Sequence, residues 1–411
     1  DLGPQGWRTG GFGMPFSEWN DRFRDTVRRF WITDTQPGAP SGIGMQEMAT
    51  RLCGSSDLFA TEPGRGCVSS INYVSCHDGF TLTDLTRYAV KHNEANGENN
   101  IDGSNVNHSA NFGVDDPAII RKREQAAMNM LGTLMLSLGT PMMLAGDEFG
   151  NSQSGNNNAY AQDNDITWLN WDWMYQTRKT MQMHRLDTVS RLLSIRKSLG
   201  LYHHEEFFTR LTQLGLFKPS SRVQWYLPDG TTPMDRDWFD TTIRSFAMRL
   251  LSQDEVDVLI VINGVDEVRR FTLPSDCSWQ CDWSSATAIG LRPAPGDRLQ
   301  RIGKNQALRS NWTMSVSEKD NIHQLLKTIQ ASLAEQDKLD LFGATTEHAD
   351  VLFEDDEQAP GVGADVSATM SAASTVHGAS ASTRDDGNAT VNGSAVWTMP
   401  ALSISVMRRL Q

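Results

Sequence analysis

Two consecutive polar side chains, His77 and Asp78, follow the short strand-like stretch Ser70 to Val74, and Gly146-Asp147-Glu148 follows a second apolar run, Pro141 to Ala145. An imidazole donates or accepts a hydrogen bond, and a carboxylate accepts several. Groups of this kind at a strand end suit ligand binding or acid–base work, and equally the capping of a strand; spacing alone leaves those readings level. Arg24 and Asp25 are expected to pair with each other within or beside the first helix. Cys53, Cys67, Cys76, Cys277 and Cys281 lack a zinc spacing, and the four-residue step from Cys277 to Cys281 has no histidine pair to complete it. No metal ligands and no cofactor are expected. Neither a glycine-rich phosphate loop nor a serine nucleophile elbow is present.

These residues need elements to hold them. Asp115-Asp116-Pro117 supplies a helix cap followed by a proline at the first helical position. Ala127, Leu131, Leu134 and Leu138 recur at helical spacing, and Gly139 is placed to end that helix. Pro141 to Ala145 then predicts a buried parallel strand. Residues 1–205 alternate short strands with amphipathic helices, the last helix running from about Arg178 to Ser198 before Gly200. Polar residues at the C-terminal ends of strands are where a (β/α)8 barrel gathers its chemistry. Between 206 and 299 helical periodicity fades. Strands are predicted at Arg222 to Leu227, Phe246 to Leu251 and Asp257 to Ile262, with a turn at Pro228-Asp229-Gly230, which reads as an all-β sandwich domain. Residues 300–394 read as an insertion. A helical stripe of Ile322, Leu325, Leu326, Ile329 and Leu333 comes first, then a linker rich in Ala, Ser, Thr, Gly and Asp. Residues 395–411 are expected to return as the last strand of the β domain. The fold class expected is α/β: the C-terminal part of a (β/α)8 TIM barrel followed by the sandwich.

The chain has 411 residues and a formal net charge of -13, which repels phosphate backbones and argues against non-specific nucleic-acid binding. No apolar run reaches membrane-spanning length, so no membrane partner is expected. Five cysteines in so long a chain do not form a disulfide framework. The opening Asp1-Leu2-Gly3-Pro4 reads like the middle of a loop, and the start is taken as a cut.

Several longer segments carry a family likeness. Ser70-Ile71-Asn72-Tyr73-Val74-Ser75-Cys76-His77-Asp78-Gly79 resembles the fourth conserved segment of the α-amylase (glycoside hydrolase 13) superfamily. Glu18 to Asp25 resembles the sixth-strand segment of the isoamylase and glycogen debranching branch, and Lys91 to Asn100 the long loop after the seventh strand. Gly146-Asp147-Glu148, Gly155 to Tyr160 and Gln162-Asp163-Asn164 resemble the segment around the eighth strand. Trp225 to Gly230 and Asp237-Trp238 are similar to that branch's C-terminal domain. The likeness covers residues 1 to about 290 and, loosely, the last strand; the stretch from about 300 to 395 departs from it.

The resemblance implies a retaining glycosidase that cleaves α-1,6 branch linkages of glycogen, limit dextrin or a related α-glucan. Such chemistry needs two carboxylates about 5–5.5 Å apart. The branch carries its nucleophile in a Gly-x-Arg-x-Asp segment, which this sequence lacks, and its acid/base in a Glu-Pro-Trp-Asp run, of which Asp1 resembles the last residue. The chain is thus expected to be a C-terminal fragment without hydrolase activity by itself. Asp78 and His77 would be the catalytic-site residues that remain, contacting hydroxyls at the cleaved bond. Trp7, Trp19, Asn20, His92, Glu94, Asn157 and Tyr160 would line the cleft, because sugars stack on aromatic faces and amides pair with hydroxyls. For any one of these a purely structural role is about as expected. Asp147 and Glu148 match the eighth-strand segment and are expected to order its loop. A cytoplasmic location follows from the family and the cysteines. Two other functions fit the same residues: a non-catalytic glucan-binding or partner subunit, and a related transglycosylase. Oligomeric state is not legible.

Overall fold

A computed structural model of the chain describes residues 8–39, 42–60, 64–175, 180–200, 207, 221–252, 257–286, 390–391 and 396–409. All belong to one compact unit made of 1–300 and 372–411. Trp7, the stripe from Ile322 to Leu333 and most of the stretch read as an insertion lie outside the described residues.

The first half is built of consecutive β/α steps. Strands β1 (Glu18–Asn20), β2 (Ser70–Asn72) and β3 (Thr140–Pro141) form a parallel sheet in the order β1-β2-β3. Helix α1 (Asp21–Trp31) follows β1, α2 (Met45–Leu52) and α3 (Ser56–Phe59) lead to β2, and α4 (Pro117–Leu136) crosses from β2 to β3. Helix α5 (Met181–Ser198) comes later in the chain. α1 buries Phe23, Val27, Phe30 and Trp31, one face at steps of three to four residues. α4 starts as its sequence dictates. The Asp116 carboxylate accepts from the Ala118 and Ile119 amides at 2.7 and 3.0 Å, and Pro117 takes the first helical position. The helix ends at Leu136, and Gly139, at φ +105°, turns the chain into β3. Arg196 of α5 donates to the carbonyls of Met135, Ser137 and Gly139, which ties α5 to that turn.

Side chains of the small sheet are joined by polar contacts. Asn20 Nδ2 donates to Ser70 Oγ, Ser70 Oγ to Asn72 Oδ1, and Asn72 Nδ2 to the Leu138 carbonyl, at 2.8, 2.7 and 2.7 Å. This ladder is fully buried, so each link avoids the cost of a dry, unpaired amide or hydroxyl. The apolar run after β3 corrects one expectation: Met142, Met143 and Leu144 are only half-buried and Ala145 is exposed. Among the described residues β3 has a partner strand on one side only, so the run is not enclosed as a central parallel strand would be.

The second half is antiparallel. β4 (Ser221–Tyr226), β5 (Ser245–Ser252), β6 (Asp257–Asn263), β8 (Trp279–Ser284), β9 (Thr390–Val391) and β11 (Ser403–Arg409) form a six-stranded sheet in the order β4-β5-β6-β11-β8-β9. β7 (Arg269–Thr272) and β10 (Val396–Met399) form a two-stranded sheet. The terminal strand β11 lies inside the large sheet, between β6 and β8. β9 falls inside the stretch read as insertion, yet it pairs with β8. One face of the large sheet joins the helical core: the Trp283 ring covers Gly132 of α4. The other packs Ala247, Leu259, Val261 and Met407 against Phe271, Trp397 and Met399. A short helix, α6 (Asp235–Phe239), lies between β4 and β5. No described helix is long and apolar enough to cross a membrane.

Candidate functional site

His77 and Asp78 sit just past the C-terminal end of β2, and both are exposed. The segment leading to them is fixed from below. Arg28 of α1, itself buried, donates from Nε to the Val74 carbonyl at 2.7 Å and from Nη1 to the Asn107 carbonyl at 3.1 Å. Burial pulls its guanidinium down from its usual value to about 10. Ser75 Oγ donates to Asp147, which also accepts the Leu82 amide at 2.9 Å, so one buried carboxylate grips both flanks of the His77-Asp78 turn. Gly79, at φ +99°, donates its amide to the Asn157 carbonyl at 2.8 Å. The positive φ is the reason for a glycine here.

Within the turn, Cys76 Sγ donates to Asp78 Oδ1 at 2.8 Å. Burial, followed by the bond to Asp78, pushes the Cys76 thiol up to about 11, so it keeps its proton and orients the carboxylate. Trp19 is 44% exposed, with its ring centroid 5.7 Å from those of His77 and Tyr73. It is therefore a surface ring beside the histidine and not a core residue. Arg24 and Asp25 pair at 2.7 Å beside Tyr73, as expected.

His92 and Glu94 are on the loop after β2, half to two-thirds exposed, with Nδ1 and Oε1 3.9 Å apart. Tyr88 meets the His92 ring edge-on, and the His92 amide donates to the Gly155 carbonyl. This loop is built on amides. Lys91 Nζ donates to the carbonyls of Ile101, Asp102 and Gly103, and Asn93 Nδ2 to the Asp102 carbonyl and Asn157 Oδ1. Asp84 anchors the neighbouring loop by accepting from Ser152 Oγ and the Gln153 amide; burial raises its pKa. Tyr160 is 82% exposed.

Two expected contact residues prove to be scaffold. Asn20 is fully buried: its Oδ1 caps α1 through the Phe23 amide and its Nδ2 serves Ser55 and Ser70. Asn157 is 1% exposed, its Nδ2 on the Ser104 carbonyl and Asn107 Oδ1 and its Oδ1 on Asn93. Both the NH2 and the carbonyl of each buried amide already bond within the fold. Glu148 orders its own loop by accepting the Gly146 amide at 2.8 Å, whereas the Asp147 carboxylate, expected to do the same, bonds instead to Ser75 and Leu82 on the other loop. Arg28, Asp84 and Cys76 were not foreseen. Spacing between cysteines carries no signal for Cys76, whose partner is the neighbouring Asp78 and not a second thiol.

No family model matches the chain. It is 38% identical over 284 residues to the glycogen debranching enzyme of Serratia proteamaculans strain 568, a match covering 68% of this chain and 39% of that protein. It is 38% identical over 292 residues to the glycogen operon protein GlgX homolog of Mycobacterium tuberculosis strain H37Rv, covering 67% and 39%. The match thus spans under two fifths of the length of these relatives. A pullulanase from Anoxybacillus sp. LM18-11, solved with maltotetraose, aligns over 66% of this chain and 32% of its own, with 20% identity and a TM-score of 0.42.

Proposed function

We propose, for a chain that belongs with the glycogen debranching enzymes over 68% of its length, that it contributes the sugar-holding side of a retaining α-1,6-glucosidase acting on branched α-glucan. The observation that carries this is the exposed His77-Asp78 pair at a strand end, held by Arg28, Asp147 and Cys76 and flanked by the Trp19 ring. An ionised Asp78 accepts from two adjacent sugar hydroxyls, and His77 donates a further bond. Bonds that tighten as the ring flattens toward an oxocarbenium-like state lower the barrier. Trp19, His92, Glu94 and Tyr160 are the exposed side chains left to extend the cleft.

The sequence holds no Gly-x-Arg-x-Asp segment, so the nucleophile and the acid/base belong to parts of the enzyme outside these residues. By itself this chain binds glucan without hydrolysing it. The same lack favours one alternative, a binding subunit that works with another chain. The family supports a cytoplasmic setting, and none of the five cysteines is in a disulfide.

The test compares the full reading frame with this chain on branched limit dextrin, measuring released linear oligosaccharides. Debranching by the longer protein alone supports the reading. Asp78→Asn in that protein should lower kcat by about 100-fold or more, in the range of removing a group that acts at the transition state. Near-normal turnover would remove Asp78 from the site. If neither form debranches although both fold and bind glucan, the binding-subunit alternative takes over.

A further inference from the structure

Cys76, His77 and Asp78 offer a thiol, an imidazole and a carboxylate, and one ligand atom from each lies within 4.8 Å of the other two. We propose that this cluster binds a thiophilic divalent cation of the Zn2+ class through Cys76 Sγ, one imidazole nitrogen of His77 and a carboxylate oxygen of Asp78.

The distances permit it with little movement. Zinc holds sulfur at about 2.3 Å and nitrogen or oxygen at about 2.0–2.2 Å, which at tetrahedral angles sets ligand atoms about 3.3–3.7 Å apart. Sγ and Asp78 Oδ1 are 2.8 Å apart and open by roughly 0.7 Å once the S–H hydrogen bond between them is replaced by the ion. The imidazole has to close by at most roughly 1.5 Å, and His77 is exposed, so its side chain turns without disturbing the core. On binding, the S–H bond breaks, a sulfur–metal bond forms and the proton leaves to solvent. Three protein ligands leave a fourth position for water, the pattern of an open zinc site.

The surroundings select the type of cation. A single carboxylate is too few oxygens for Ca2+, and a thiol ligand is a poor match for the hard Mg2+ ion. The buried Arg28 guanidinium, bonded to the Val74 and Asn107 carbonyls behind the turn, adds a positive charge that opposes purely electrostatic binding. A thiolate bond with covalent character favours the soft ion. Cation and sugar would compete for His77 and Asp78; that consequence rests on the function proposed above, whereas cation binding itself does not.

The 411-residue chain is titrated with Co2+, which reports a thiolate ligand by a near-ultraviolet sulfur-to-cobalt charge-transfer band, and Zn2+ is then added in competition. The expected result is one band per chain that Zn2+ displaces. Cys76→Ser, with Cys76→Ala as a second form checked by circular dichroism, should abolish it. Asp78→Asn, at an exposed position, should weaken binding at least about tenfold, since even outer partners of a metal contribute that much. No band in the wild type, an undiminished band in the Cys76 variants or unchanged affinity in Asp78→Asn would each overturn the proposal. Added maltooligosaccharide should raise the apparent Kd for Zn2+. A failure of that competition alone counts against the glucan reading and leaves the cation site standing.

Discussion

Replacing Asp147 by Asn should make the protein more stable at neutral pH, by an amount that grows with pH. Asp147 is fully buried, accepting from Ser75 Oγ and the Leu82 amide. Burial, outweighing those bonds and the attraction of Arg185, pushes its carboxyl up from 3.8 to about 6. Between these two values the folded protein holds a proton that the unfolded chain has released. Stability from this group is therefore complete below pH 3.8 and is lost as pH rises through 6. Integrated over the window, ionisation costs the fold about 3 kcal/mol above pH 6. About 2 kcal/mol of this falls between roughly pH 4.5 and 7.5. Asn keeps both contacts: its carbonyl accepts from Leu82, and its amide donates to Ser75 once that hydroxyl turns. Urea unfolding of the two proteins across this range should show the Asn form gaining on the wild type by about 2 kcal/mol. A difference independent of pH, or one that moves in favour of Asp147 as pH rises, would refute the assignment of that carboxyl.

Gly132→Ala puts a methyl carbon 2.8 Å from the Trp283 ring, so it should destabilise by about 1–3 kcal/mol despite the roughly 1 kcal/mol that alanine brings to a helix interior; a rise in Tm would show that α4 and β8 are not in contact there. Asn157→Ala strands the Ser104 carbonyl and Asn107 Oδ1, and a loss of about 2 kcal/mol or more is expected in urea unfolding, with faster amide exchange across residues 91–107. Asp116→Ala removes the cap of α4 at an exposed position and should cost about 1 kcal/mol by the same measurement.

What the sequence made legible was chemistry that works locally. The Asp116 cap, the proline after it and the polar residues past β2 are each read within a few positions, and the structure places them as read. The misreadings came from groups whose role depends on burial. Asn20 and Asn157 have the side chain a sugar hydroxyl would want, but the same amide satisfies a helix cap or a loop carbonyl, and nothing in the residue type separates the two. Arg28 reaches the Val74 carbonyl across 46 positions of sequence, a link that no local pattern contains. The strand order was hidden in the same way, since the final strand takes a central place in the large sheet. The carboxylates make the principle sharpest. Asp78, Asp84 and Asp147 each lie near a strand end or its loop. Asp84 and Asp147 are dry and fully engaged by donors of the fold, and burial drives both pKa values upward. Asp78 faces solvent and takes one thiol donor, which leaves its second oxygen for something outside the fold. A carboxylate engaged by its own protein organises the site; one left partly unengaged can recognise a ligand, and that difference is why Asp78 and not Asp147 is the residue proposed to meet the sugar.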